Sequence, residues 1–407
     1  MQLLYSFSIA IAKVLAPLFA TSSKGKAFVT GRKKVWDQLE YIPKVKKVIW
    51  MHCASLGEYE QGLPVFKELK ATYPEYFYLV TFFSPSGYEV RKNHGIADLV
   101  TYLPWDTKAD VKRFISIVNP KLALMVKYEF WPNLISEIHH RKIPIFLIAG
   151  LFRRKQTFFK PWGTSYRKLL QGYSHIFVQN EQSQKLLATI DIEQFSISGD
   201  TRYDRVGQKK EPLSFMNTFV GNRKCIIAGS TWPEDEAVLL DAIAKTPSDW
   251  CWLIAPHELH DEKIKKLMGK LPHGSLRYTQ SKASEFGICP VLVLDTVGML
   301  SQCYTSGHIA YVGGAMGTSG LHNILEPAAE GIPVIIGKNH HKFPEAKALI
   351  DLGGVISIST AKECTQVLLA LMQNEALRQE KGTANRTFVT QNQGATQHTL
   401  KLIKNYL

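Results

Sequence analysis

Two glutamates sit where a hydrophobic run gives way to a helical pattern. In "VIWMHCASLGEYEQGLPVF", Ser55-Leu56-Gly57-Glu58 follows the apolar run Lys47–His52. In "VKYEFWPNL", Val126–Leu134, Glu129 holds the same place after another such run. A single carboxylate at a helix start answers the helix dipole. A pair at equivalent joints can meet in one cleft, where one of them takes a proton from a substrate hydroxyl. Gly57 leaves room for a substrate beside Glu58.

A second group of residues suits a nucleotide. In "HIAYVGGAMGTSGLHNILEPAAEGIPVIIG", His308–Gly337, a strand ends in Gly313-Gly314, a loop with Gly317 and Gly320 follows, and a helix is expected near His322-Asn323. Glycines let a backbone approach a phosphate, and a helix start offers free N–H groups. Asn323 is placed to reach a phosphate or sugar, and Glu326 to accept from two ribose hydroxyls. The glycines alone favour a Gly-rich turn plus a capped helix, and Asn323-x-x-Glu326-Pro327 on the helix tips the reading to nucleotide binding. Neither G-x-x-x-x-G-K-[ST] nor G-x-G-x-x-G is present, which argues against a P-loop or an ordinary dinucleotide site. Other strand ends add His257, a phosphate contact or a surface histidine, after Ile254-Ala255-Pro256. Gly298, within Asp295–Leu300, would expose backbone to a base edge. In "AGSTWPEDE", Ser230 or Thr231 is a helix cap or a phosphate ligand. No Asp-x-Asp cluster of the kind that holds a divalent cation occurs, so neither metal nor cofactor is expected.

The elements that must position these residues alternate. Strand-like runs at Lys47–His52, Phe77–Phe83, Leu99–Leu103, Leu122–Val126, Pro144–Ala149 and His175–Val178 are separated by helical stretches such as Gly62–Thr72, Lys108–Val118 and Asn133–His140. Strands separated by helices predict a parallel, doubly wound sheet. Asp204–Asn222 reads as a polar connection. The alternation then restarts at Lys224–Ala228, Trp250–Ala255, Val291–Leu294, His308–Val312 and Pro333–Ile336. At 407 residues two α/β domains are expected, facing each other with ligands in the crevice at the strand ends. The expected division is a membrane-associating segment 1–34, an acceptor-binding domain 35–207, a nucleotide-sugar-binding domain 221–385 and a C-terminal helix 386–407 returning to the first domain.

Charge is uneven. The net charge is +14, and residues 1–50 hold nine Lys and Arg against Asp37 and Glu40, half of that excess. Such a surface favours anionic partners, and without an interleaved stacking platform it points to anionic membrane lipids and excludes nucleic acid. "MQLLYSFSIAIAKVLAPLFA" lacks the leading charge of a signal peptide, and Lys13 and Pro17 make a full span marginal. An interfacial amphipathic segment or a short anchor fits better, with the basic residues after it on the cytoplasmic side; an ordinary packed helix is the alternative. Six cysteines without C-x-x-C spacing suit a reducing cytoplasm.

Taken together these motifs resemble the 3-deoxy-D-manno-octulosonic acid (Kdo) transferases, inverting glycosyltransferases of the GT-B fold that modify lipid A precursors. The resemblance spans nearly the whole chain. It rests on His52-x-x-Ser55-x-Gly57-Glu58, Glu129-Phe130-Trp131-Pro132-Asn133, Asp295–Leu300, Val312-Gly313-Gly314 and His322-Asn323-x-Leu325-Glu326-Pro327-Ala328-Ala329. It implies CMP-Kdo as donor and the 6′-hydroxyl of a tetraacylated glucosamine disaccharide bisphosphate, lipid IVA, as acceptor. It implies Glu58 as general base and Glu129 beside it, at the cytoplasmic face of a Gram-negative inner membrane. Carried over residue by residue, CMP contacts fall on Pro256, His257, Val297, Gly298, Met299, Asn323, Ile324, Leu325 and Glu326, with Gly313, Gly314 and Ser230 nearby. The chain departs from the family at Ala255-Pro256-His257-Glu258, where the family commonly reads Ala-Pro-Arg-His. It departs again at Gly320-Leu321-His322-Asn323 and at Gly150–Lys155, usually an Arg/Ser-rich motif. The rival readings are a sugar-nucleotide epimerase on the same scaffold and a non-catalytic, membrane-bound nucleotide-binding protein.

Overall fold

A computed structural model describes residues 2–93 and 95–407. The chain forms two compact units; the first runs to Arg205 and resumes over Asn392–Leu407, and the second is Val206–Gln391.

In the first unit, α1 (Gln2–Phe19), α2 (Ser23–Lys33) and α3 (Val35–Leu39) precede β1 (Val48–Cys53). The chain then alternates through α4 (Leu56–Thr72), β2 (Phe77–Phe82), α5 (Pro85–Arg91), β3 (Leu99–Tyr102), α6 (Lys108–Val118) and β4 (Pro120–Val126). It continues with α7 (Pro132–His140), β5 (Ile145–Gly150), α8 (Thr164–Gln171), β6 (His175–Val178), α9 (Glu181–Ala188), β7 (Phe195–Ile197) and α10 (Thr201–Val206). The seven strands lie in the order β3-β2-β1-β4-β5-β6-β7 and pair in parallel. Successive strand residues point to opposite faces, and both faces are covered. Trp50 and Leu79 belong to one buried cluster, Ile49, Met51 and Val80 to the other. This is why the strands read as unbroken apolar runs rather than alternating ones. Gly62 lets α4 lie flat on the sheet, since a Cβ there would come within 2.5 Å of Met51 Sδ.

The second unit holds α11 (Ser214–Val220), β8 (Lys224–Thr231), α12 (Pro233–Ala244), β9 (Trp250–Pro256), α13 (Asp261–Met268), β10 (Leu276–Arg277), β11 (Val291–Val293) and α14 (Leu300–Cys303). They are followed by β12 (Ile309–Val312), α15 (Leu325–Ala329), β13 (Val334–Gly337), α16 (Pro344–Asp351), β14 (Val355–Ile358), α17 (Ala361–Gln373) and α18 (Glu375–Gln391). Its parallel sheet has the order β10-β11-β9-β8-β12-β13-β14. Asp204–Asn222, expected as a connection, carries the end of α10 and all of α11, whose Phe215, Met216 and Phe219 are buried. The last helix, α19 (Ala395–Ile403), belongs to the first unit, where Leu400 and Ile403 join the cluster of Phe66 and Val80.

Helix α1 has two faces. Leu4, Phe7, Ile11, Val14, Leu15 and Leu18 are exposed and, at 3–4-residue spacing, form one apolar stripe. The opposite face is held to the first unit by polar contacts. Tyr5 donates to Asp106 Oδ2 at 2.9 Å, Ser6 to Asn133 Oδ1 at 3.0 Å, and Lys13 pairs with Asp110 at 2.6 Å. Among the described residues no helix is long and apolar enough to cross a membrane. All six cysteines are free and buried.

Candidate active site

Glu58 stands in the first turn of α4, directly beyond β1. The spacing Ser55-x-x-Glu58 is that of a capping box, in which each side chain would bond to the other's backbone N–H. That box is not made. Ser55 leaves the helix end uncapped and its hydroxyl donates to the Glu58 carboxylate. Glu58 is half-buried, and among the described residues no Lys or Arg makes an ion pair with it. A Cβ at Gly57 would meet nothing nearer than Ser55 Oγ at 3.7 Å, so the ground beside the carboxylate is open.

Glu129, beyond the neighbouring strand β4, is 4% exposed and engaged on several sides. Trp131 Nε1 donates to its Oε2 at 2.6 Å, His52 Nε2 lies 2.9 Å from the same oxygen, and the Tyr173 hydroxyl donates to its carbonyl at 2.5 Å. His52 is itself buried at the end of β1, with Nδ1 3.1 Å from the carbonyl and 2.8 Å from the hydroxyl of Thr81 on β2. A ring with acceptors facing both nitrogens is fixed in orientation. The Glu129 carboxylate therefore acts on its neighbours within the fold and ties the ends of three adjacent strands together, while Glu58 is the carboxylate left partly open.

In the second unit the turn after β12 is held by Asp235. This buried carboxylate accepts from Gly314 N at 2.8 Å, the Tyr311 hydroxyl at 2.8 Å and Trp232 N at 2.9 Å, and burial raises its pKa against those hydrogen bonds. The Gly313 N–H goes to Gly229 O and the Gly314 N–H to Asp235, so neither is left for a ligand. These glycines are needed for space and backbone shape. A Cβ at Gly313 would lie 2.4 Å from Ser230 O, and Gly314 has φ +95°. Helix α12 starts at Pro233, so its cap is Trp232 rather than Ser230 or Thr231. Ser230 adopts left-handed backbone, φ 53°, at an irregularity of β8.

Beside this turn three rings stack. Trp232 and His257 centroids are 4.7 Å apart, His257 and His322 4.4 Å, and Trp232 Nε1 donates to His322 Nε2 at 3.1 Å. Burial, and then the neighbouring His257, lower the His322 pKa to about 4. His257 keeps an exposed edge. Pro256 closes β9 half-buried, and beyond β11 come exposed Val297 and Gly298, the latter with φ +88°, then half-buried Met299. Helix α15 begins at Leu325 rather than near Asn323 and has five residues, too short for much dipole. Asn323 is exposed and its Oδ1 accepts from Leu325 N at 3.1 Å; Glu326 is half-buried. Ile324 and Leu325 are each 1% exposed, which leaves only their backbone to a ligand. Pro256, His257, Gly298, Asn323 and Glu326 thus follow the carboxyl ends of neighbouring strands of one sheet, where such sheets bind ligands.

Trp232 and Asp235 lie within Ala228–Glu236, but nothing in their spacing marks a stacking ring or a bolt. Lys127 and Tyr128 directly precede Glu129, and that adjacency is the one signal the sequence offers for them.

Residues 30–205 match the family model described as 3-deoxy-D-manno-octulosonic-acid transferase (kdotransferase). A 3-deoxy-D-manno-octulosonic acid transferase of Haemophilus influenzae is 31% identical over 374 residues, 88% of this chain and 87% of that one. This chain belongs to the Kdo transferase family. A relative with the same description from Aquifex aeolicus is 30% identical over 77% of this chain and 83% of its own. As a member of the family the chain is a glycosyltransferase. Among solved structures, UDP-GlcNAc 2-epimerase from Neisseria meningitidis bound to UDP-GlcNAc superposes with a TM-score of 0.61 at 15% identity, covering 88% of this chain and all of that one. The glycotransferase of kitacinnamycin does so at 0.56 and 17%, over 90% of this chain and all of that one. At such identities the likeness is one of fold: two Rossmann-like domains of the GT-B class.

Proposed function

We propose that this chain transfers Kdo from CMP-Kdo to the 6′-hydroxyl of the lipid A precursor lipid IVA, with inversion, without a metal, and with Glu58 as general base. The observation that carries the reading is the half-exposed Glu58 carboxylate, held by Ser55 and engaged in no ion pair among the described residues. The acceptor hydroxyl gives its proton to Glu58 as its oxygen forms a bond to the anomeric carbon. The bond from that carbon to the CMP phosphate breaks, and the electron pair leaves with the phosphate. Donor binding belongs to the second unit. Pro256 and His257 face the phosphate; Val297, Gly298 and Met299 read the base; Asn323 and Glu326, with the backbone of Ile324 and Leu325, hold the ribose. Gly313, Gly314 and Ser230 shape the turn behind them. Glu129 supports the site by orienting His52 and Trp131.

The exposed stripe of α1 and the basic residues Lys24, Lys26, Lys33 and Lys34 suit an interface with anionic lipid. The reading places the protein on the cytoplasmic face of a Gram-negative inner membrane, where its lipid acceptor lies. An epimerase reading is not favoured, because the relatives that cover most of the chain are described as transferases.

The test is purified protein with CMP-Kdo and lipid IVA, products resolved by mass, with and without a chelator. Transfer should survive the chelator. Glu58→Gln should keep CMP affinity while kcat falls by about 10²–10⁴-fold, the range of a general base. Turnover within a few-fold of the wild type would remove the assignment.

A further inference from the structure

Three neighbouring strands of the first unit, β1, β4 and β5, end side by side, with His52 opposite Met125 and Val126 opposite Ile148. Glu58 follows β1, Lys127 and Tyr128 follow β4, and Arg153 follows β5. Two cations therefore flank one aromatic ring: Lys127 Nζ lies 5.4 Å and the Arg153 guanidinium 6.0 Å from the Tyr128 centroid. Neither makes an ion pair with a carboxylate among the described residues, whereas Arg202 nearby is bound to Asp200 at 2.8 Å. The Tyr128 hydroxyl is buried and has no hydrogen-bond partner among them. Lys127 adopts left-handed backbone, φ 71°, a conformation that favours glycine or asparagine. Strained residues of this kind cluster at ligand clamps and active sites.

We propose that Lys127, Tyr128 and Arg153 form an oxyanion-binding subsite beside Glu58. An ammonium and a guanidinium on one aromatic ring, with an unpartnered phenol hydroxyl on that ring, suit a phosphate or carboxylate, and the pair of cations sets its charge. Burial holds the Lys127 ammonium below the usual lysine range, aided by Arg202 and opposed by Glu58 and Asp200, so a bound anion would relieve a desolvated cation. The identity of that anion rests on the function proposed above. It is either a phosphate of the acceptor or the carboxylate of the donor sugar, and in both cases it fixes a substrate beside the base.

The test uses the full chain with saturating CMP, so that the nucleotide site is filled, and inorganic phosphate as titrant in calorimetry. Lys127→Met and Arg153→Gln should each weaken phosphate binding by about tenfold, the size of one charge-assisted hydrogen bond. Arg153 is exposed, so its variant folds whatever happens at position 127. Lys127→Met should melt no lower than the wild type, because the left-handed strain is shared by both residues and a desolvated cation is removed. Unchanged phosphate affinity in both variants, or a lowered melting temperature for Lys127→Met, overturns the subsite. In transfer assays, a KM raised about tenfold for the acceptor alone, and lost with a dephosphorylated acceptor, assigns the acceptor phosphate. A KM raised for CMP-Kdo alone assigns the sugar carboxylate. Unchanged KM for both overturns the proposal. Phosphate binding that depends on Lys127 in a protein without transferase activity would leave the subsite standing and remove the proposed function.

Discussion

The indole of Trp232 decides which nitrogen of His322 carries the proton. Because Trp232 Nε1 donates to His322 Nε2, that nitrogen is an acceptor and the proton sits on Nδ1. Burial and His257 then hold the ring neutral, lowering its pKa from 6.5 to about 4. The unfolded chain takes up this proton near pH 6.5 and the folded chain near 4. His322 thus contributes stability above 6.5 that is lost as pH falls through about 4. Its ring resonances in NMR should stay flat between pH 8 and 5, and Trp232→Phe should move the midpoint upward. A midpoint unmoved by that substitution would separate the indole from the effect. At this scale the position of Glu58 was legible, since a strand-to-helix joint, a glycine and an acid are adjacent in the chain. Two partners of Glu129 were not, because His52 comes from the end of β1 and Tyr173 from the connection between α8 and β6, both far from it in the chain. Ile324 and Leu325 show the reverse. A motif names them, and burial turns their side chains inward.

The turn after β12 in the second unit depends on how α12 enters. Asp235 sits in its first turn and reaches back to Trp232 N and across to Gly314 N and Tyr311. Asp235→Ala would strand two or three buried donors, at about 1–3 kcal/mol each. Urea denaturation should show a loss of roughly 2–5 kcal/mol, since the stranded groups partly rehydrate. CMP affinity should fall too, although Asp235 lies behind the positions proposed for the donor. A stable variant with normal CMP binding would mean that the turn holds without its bolt. The long strands of both sheets were readable as unbroken apolar runs. β7, β10 and β14 were not: they are short and mostly half-buried strands, all three at edges of their sheets, so hydrophobicity gives them little signal. The helical character of α11 was missed because its apolar residues Phe215, Met216 and Phe219 sit in a polar neighbourhood.

Across the whole molecule, neither unit is a simple half of the chain. The first is completed by residues 392–407, whose α19 places Leu400 and Ile403, 1% and 0% exposed, against the face of α4. Gly394 N and Thr396 N are also anchored on Asp204 at 2.6 Å each. Ending the chain at 391 would uncover this face at a cost of about 1.5–3 kcal/mol per buried side chain. Two such losses approach the 5–15 kcal/mol margin typical of a domain, roughly speaking. The shortened protein should therefore lose the thermal transition of the first unit or show it at much lower temperature, while the transition of the second unit stays near its place. A calorimetric scan with both transitions intact would contradict this.

The return of α19 also sets a timetable for synthesis. The sheet that carries Glu58 is synthesised well before α19, and a strip of its greasy surface stays bare until Leu400 and Ile403 have been made. Exposed apolar surface of this kind invites aggregation during synthesis, and a chain stopped before α19 would be left with the unit that was made earlier as the one that fails.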